Sequence, residues 1–142
     1  MNSGQSTYEH LKEIQNTSLE KALHPPTIIE PSFSISKIIG MMSETDSYDV
    51  YCMNNGKVLT TNAREMLDVR DISTMKASSL LHRIRSLSKN DTIEKAATAM
   101  AHYRMRSFPV LDKNQIIGVV TAKSIVNLLA QQNLKWLRAN SV

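Results

Sequence analysis

Cysteine is all but missing from this sequence of 142 residues. Cys52 stands alone, which excludes a disulfide framework and any multi-cysteine zinc site and suits a reducing compartment. Glycine is scarce too: Gly4, Gly40, Gly56 and Gly118 are too dispersed for a Walker loop or a dinucleotide fingerprint. Aromatic residues make up 5%, too few for a platform that stacks single-stranded nucleic acid. No apolar run approaches the roughly 20 residues that span a bilayer, so no membrane partner is expected. Met1 to Glu9 has neither the basic start nor the apolar stretch of a signal peptide, and a cytoplasmic location is the expectation. His10, His24, His82 and His102 lack metal-ligand spacing, and no nucleophile, base and orienting group share a diagnostic motif. We therefore expect no catalytic residue, no metal site, no catalytic cofactor and no enzymatic activity.

What is present supports a folded core: 42% hydrophobic and 21% charged residues, enough for one domain or two small units. The net charge of +4 is unevenly spread. Residues 1–63 carry four basic and seven acidic side chains, whereas residues 64–142 carry thirteen and six, including all seven arginines. The second stretch either faces an anion or is a solvated surface with a mild positive excess.

The sequence repeats itself. Ile35, Ile38, Ile39 and Met42 have the i, i+3, i+4, i+7 spacing of a helix face, and Ile93, Ala96, Ala97 and Met100 repeat it 58 positions later. Asp91 and Glu94 look like a capping box for the second helix. Leu23-His24 corresponds to Leu81-His82, and Ile28-Ile29 to Ser86-Leu87. The β-type run Val50 to Met53 corresponds to Phe108 to Leu111. Each run leads into a turn and a second strand, with Asn55-Gly56 a strong hairpin signal. The second turn, Asp112 to Gln115, reads as one residue longer, because the offset beyond it is 59. Each unit is thus a strand, a helix, a hairpin and a helix, giving an α/β fold of two βαββα repeats packed about a pseudo-twofold axis. The expected organisation is a polar segment over 1–17, helical through Tyr8, Leu11 and Ile14, then a first repeat over 18–70. A second repeat follows over 71–132 and a C-terminal tail over 133–142.

The second unit resembles a CBS domain, the module named after cystathionine β-synthase. Asp91 to Met100 is similar to that family's first helix, and His102 to Asp112 ends in its Pro-Val-hydrophobic-Asp pattern. Gly118-Val-Val-Thr121 through Ile125 is close to its Gly-h-h-Thr-x-x-Asp-h signature, where h is apolar. The first unit matches more loosely: Tyr51 replaces the proline and Asn62-Ala-Arg-Glu65 replaces Thr-x-x-Asp. The resemblance implies a tandem pair, or Bateman module, with two clefts between the units. It implies regulation by an adenine nucleotide or S-adenosylmethionine, an effector protein that reads occupancy, and assembly as a homodimer.

Carried onto matching positions, the resemblance implies a second cleft in which Leu87, Ser88, Phe108 and Pro109 flank an adenine. Thr121 either binds a phosphate oxygen at the helix N-terminus or merely caps the helix. Ser124 stands where the family has a ribose-binding aspartate, and one hydroxyl cannot make that paired contact. Arg104 and Arg106 can clamp phosphates or lie solvated. In the first cleft Ile28, Ile29, Val50 and Tyr51 take the flanking places, with Asn62 for the threonine and Glu65 as carboxylate. Two other functions fit the sequence: a ligand-free dimerisation scaffold with degenerate sites, and a weak nucleic-acid binder using the basic half, disfavoured by the few aromatics.

Overall fold

Two hairpins organise the molecule, a computed structural model that describes residues 7–140. In the first, β2 (Asp49–Asn54) and β3 (Lys57–Asn62) pair from Asp49↔Asn62 to Asn54↔Lys57. Asn55 and Gly56 turn the chain at φ 53 and 75, the left-handed pair that a two-residue hairpin needs. In the second, β6 (Ser107–Asp112) and β7 (Gln115–Thr121) are joined by Lys113 and Asn114 at φ 50 and 62. This turn is the same length as the first, contrary to expectation. The extra residue lies inside β7: the register passes from Val110↔Gly118 to Leu111↔Ile116, leaving Ile117 as a bulge. Lysine has no special preference for positive φ, so the tight turn was not legible in Lys113-Asn114.

Before each hairpin runs a helix of matching design. α2 (Ile35–Thr45) starts at Ser34, whose hydroxyl accepts from the Lys37 amide, and buries Ile35, Ile38 and Met42. α4 (Ile93–Tyr103) buries Ile93, Ala96 and Met100. Its cap is Thr92, which accepts from the Lys95 amide, and the expected Asp91–Glu94 box does not form. Asp91 instead accepts from the Ser88 amide at 2.7 Å and pairs with Lys95 at 3.0 Å, so its carboxylate faces the preceding loop. Both helices end on a left-handed residue, Asp46 or Arg104, which returns its amide to Met42 or Met100.

The units exchange their first strands. β1 (Leu23–His24) pairs with β7, and β4 (His82–Arg83) pairs with β3. One sheet therefore runs β1-β7-β6-β5, with β5 (Leu87–Ser88) parallel to β6, and the other runs β2-β3-β4. The isolated bridges Ser18↔Thr92 and Ser34↔Lys76 repeat the exchange at the helix caps, related by the offset of the sequence repeat. Segment 18–24 belongs spatially to the second unit, where Leu19 and Ala22 join its core, and Ala77 joins the first core. Chain-contiguous repeats of 18–70 and 71–132 describe the duplication but not the two packed bodies. Gly118 permits the exchange: a Cβ there would stand 3.0 Å from the His24 carbonyl oxygen and 3.1 Å from the Leu23 Cβ.

A third apolar cluster, Tyr51, Val58 and Val119, joins the two hairpins face to face. α3 (Ala63–Leu67) and α5 (Ala122–Asn140) close the units. Residues 133–140, expected as a tail, continue α5, which meets no glycine or proline to stop it. α1 (Thr7–Gln15) forms as expected and lies against α4 and α5, with Ile14 buried. The side chains of Tyr8 and Leu11 lie outside the described residues.

Candidate functional site

Thr121 ends β7 and caps α5, and its partner is Ser124. The Ser124 amide donates to the Thr121 hydroxyl, the Thr121 amide donates to the Ser124 hydroxyl, and that hydroxyl donates to the Thr121 carbonyl, each at 2.9 Å. The pair closes on itself as a capping box, so Thr121 caps α5. In the first unit Asn62 caps α3 by accepting from the Glu65 amide at 3.0 Å. The Glu65 carboxylate accepts from the Thr61 hydroxyl at 2.7 Å and lies 3.0 Å from Nε2 of His82. Strand exchange delivers that histidine, because β4 sits beside β3.

Tyr51, which replaces the proline, is buried and reaches across to the other unit. Its hydroxyl lies 3.0 Å from the Ser107 hydroxyl, which donates to the Asp49 carboxylate at 3.0 Å. With the serine proton directed to Asp49, the tyrosine is the donor to Ser107. Burial pushes the Tyr51 phenol up to about 12. Burial also raises the Asp49 carboxyl above its ordinary value, against the Ser107 hydrogen bond and the Arg106 charge, which pull it down. Arg106 lies over the Tyr48 ring, 3.5 Å from its centroid. This is a cation–π contact beside the inter-unit bridge.

A cavity of about 680 Å³ opens where the units meet. The first unit supplies Gly56, Lys57 and Val58 from its hairpin turn, and the exchanged segment supplies Arg83 to Leu87. α4 adds Lys95, Ala99 and Tyr103, and β6 adds Phe108 and Leu111. Arg83 lies in β4 and Arg85 follows it two residues on, and both side chains are exposed. The Arg85 guanidinium sits 4.7 Å from the Tyr103 ring centroid, and Tyr103 meets Phe108 edge-on. Lys95 pairs with Asp91. A shallower groove of about 420 Å³ continues along α4 past Thr98 and His102.

Of the residues expected around the second cleft, Leu87 and Phe108 line this cavity. Pro109 is fully buried, and the Ser88 amide is held by Asp91. Arg104 ends α4, and Thr121 and Ser124 cap α5. None of the first-cleft residues lines it: Ile29, Val50 and Tyr51 are core, Ile28 is 45% exposed, and Asn62 and Glu65 are engaged at α3. Sequence reasoning missed Lys57, Arg83, Arg85, Lys95 and Tyr103. The alternation His82-Arg83-Ile84-Arg85 was the available signal, two arginines flanking a half-buried isoleucine. Among the described residues no group of His, Cys, Asp or Glu side chains could hold a metal ion, and no helix is long and apolar enough to cross a membrane. Cys52 is buried, and burial raises its thiol, which disfavours the reactive thiolate.

Residues 69–131 match the CBS domain family model. No curated protein matches the chain. Solved structures do. The CBS domain of a bacterial CNNM/CorC family Mg2+ transporter aligns at 14% identity and a TM-score of 0.72, covering 86% of this chain and 80% of that one. The CBS domain pair of protein MJ0100, in complex with 5′-methylthioadenosine and S-adenosyl-L-methionine, aligns at 16% identity and a TM-score of 0.70, covering 82% and 98%. The cytosolic domain of the Mg2+ channel MgtE in complex with ATP aligns at 15% and 0.70, covering 84% of this chain and 52% of that one. The hexameric CBS-CP12 protein from bloom-forming cyanobacteria aligns at 14% and 0.71, and this chain spans 66% of its length. Residues 69–131 thus match the CBS domain family, and the chain as a whole has the fold of solved CBS domain pairs.

Proposed function

We propose that this pair is a regulatory rather than catalytic module, which binds an adenosyl ligand in the inter-unit cavity and passes its occupancy to an effector protein. The observation that carries this is the origin of the cavity wall, in which the first hairpin, the exchanged segment and α4 each contribute residues. A ligand in contact with all three favours one arrangement of the units over another, and only such a difference transmits a signal. Its volume is in the range of small-molecule sites, with Leu87, Phe108 and Leu111 as apolar surface. The ATP, S-adenosylmethionine and methylthioadenosine bound by proteins of the same fold support the ligand class. Calorimetry with ATP, ADP, AMP and S-adenosylmethionine tests it, and silence from all four at millimolar concentration sinks it.

The reading includes a cytoplasmic location and a homodimer. Val126, Leu134 and Leu137 are exposed on α5 and, with exposed Ala130, make a stripe at i, i+4, i+8 and i+11. That spacing matches a two-helix seam, so a second copy of the same helix is the proposed occupant. A second reading, a ligand-free dimerisation scaffold, is favoured by one observation: the Thr121–Ser124 box and the Glu65 carboxylate are satisfied within the protein. A dimer whose melting temperature ignores every nucleotide supports that alternative.

A further inference from the structure

The cavity wall carries four cationic side chains, Lys57, Arg83, Arg85 and Lys95, and no carboxylate. Lys95 has its own counter-charge in Asp91, 3.0 Å away. Among the described residues no carboxylate forms an ion pair with Lys57, Arg83 or Arg85. Lys89, by contrast, lies between Glu20 at 3.2 Å and Asp112 at 3.7 Å. The three cations reach the cavity from two places, the first hairpin and the exchanged strand with the chain that follows it. Their mutual repulsion is therefore created by the tertiary fold, and a bound anion relieves it. The Arg85 guanidinium also lies over the Tyr103 ring, 4.7 Å from its centroid.

Resting on the adenosyl reading of this cavity, we propose that it selects polyanionic ligands, nucleoside di- and triphosphates, over the cationic sulfonium of S-adenosylmethionine. The phosphate chain lies among Lys57, Arg83 and Arg85, where guanidinium groups make paired, charge-assisted contacts. The uncharged remainder of the ligand covers Leu87 and Phe108. Each added phosphate strengthens attraction to all three cations, whereas a sulfonium meets the same repulsion the cations exert on each other. Lys57 and Arg83 lie on neighbouring strands of the β2-β3-β4 sheet, whereas Leu87 and Phe108 belong to the other sheet, so a ligand that meets both sets spans the two sheets.

The test is calorimetry on the intact chain with ATP, ADP, AMP, adenosine, S-adenosylmethionine and inorganic tripolyphosphate. ATP and ADP are expected to bind at least roughly tenfold more tightly than adenosine or S-adenosylmethionine, with the preference shrinking as salt rises. Arg83→Gln with Arg85→Gln is expected to weaken ATP by roughly tenfold or more and leave adenosine unchanged, since both arginines are exposed and their loss spares the core. Lys57→Gln, on the neighbouring strand β3, is expected to weaken ATP as well. Adenosine or S-adenosylmethionine binding as tightly as ATP overturns the charge selection and leaves the adenosyl reading standing. So does ATP binding that is indifferent to all three substitutions, which places the phosphates elsewhere. Tripolyphosphate matching ATP while adenosine fails to bind keeps the charge selection and overturns the adenosyl reading. Silence from every ligand overturns both.

Discussion

Replacing Tyr51 by phenylalanine separates two effects of one buried hydroxyl. At neutral pH the hydroxyl donates across the unit interface to Ser107, 3.0 Å away. Its loss costs about 1 kcal/mol, the net worth of a buried neutral hydrogen bond. At alkaline pH the sign reverses. The phenol is pushed from 10.0 up to about 12 in the folded chain, chiefly by burial. Between those values the folded state keeps a proton that the unfolded state has released, so stability falls as pH rises. The slope approaches 1.4 kcal/mol per pH unit, and integration to pH 12 gives a loss of about 2 kcal/mol. The wild type therefore starts more stable than Tyr51→Phe and ends less stable, with the curves crossing at roughly pH 10.5–11. Urea unfolding at half-unit steps from pH 7 to 12, followed by far-ultraviolet circular dichroism, measures both curves. Subtracting one from the other removes the lysines and the other tyrosines, which titrate alike in both proteins. Curves that stay parallel throughout refute the buried, bridging hydroxyl.

Three further outcomes follow from the same geometry. The raised Asp49 carboxyl keeps its proton in the folded chain above 3.8, so its contribution to stability declines as pH rises through the folded value. Asp49→Asn removes that decline, and melting curves across mildly acid pH that keep the wild-type slope contradict the assignment. Gly118→Ala forces a Cβ to 3.0 Å from the His24 carbonyl, pushing β1 away from β7 and costing about 1–3 kcal/mol, so an unchanged melting temperature refutes the close approach. Leu134→Glu places a charge on the α5 stripe, and sedimentation is expected to show monomers where the wild type sediments as a dimer. An unchanged mass removes that helix from the interface.

Much of the fold was legible because it rests on short-range periodicity. The buried faces of α2 and α4 follow from residues three and four apart, and the Asn55-Gly56 turn follows from backbone preference at two positions. Errors arose where local rules had close competitors. Asp91 and Thr92 are both good caps, and contact with the Ser88 amide drew the aspartate away. The extra residue of the second hairpin fitted a turn or a strand equally well, and only the pairing partners put Ile117 in a bulge. Of the expected ligand residues, Thr121 and Ser124 take part in the cap of α5, whereas Leu87 and Phe108 line the cavity.

By itself the sequence determined the duplication, the order of elements in each unit and the uneven charge, since these are properties of neighbours along the chain. It also left only isolated glycines for approaches that tolerate no side chain, one of them at Gly118. Only the tertiary structure decided which sheet each first strand joins, because two-residue strands such as β1 and β4 carry too little pattern to choose a partner. That choice sets the rest. It brings His82 to Glu65, seats Tyr51 beside Ser107, and gathers Lys57, Arg83 and Arg85 around one cavity from positions up to 28 apart in sequence. A charge cluster assembled from two sequence repeats is a property of strand pairing, which local sequence pattern does not contain.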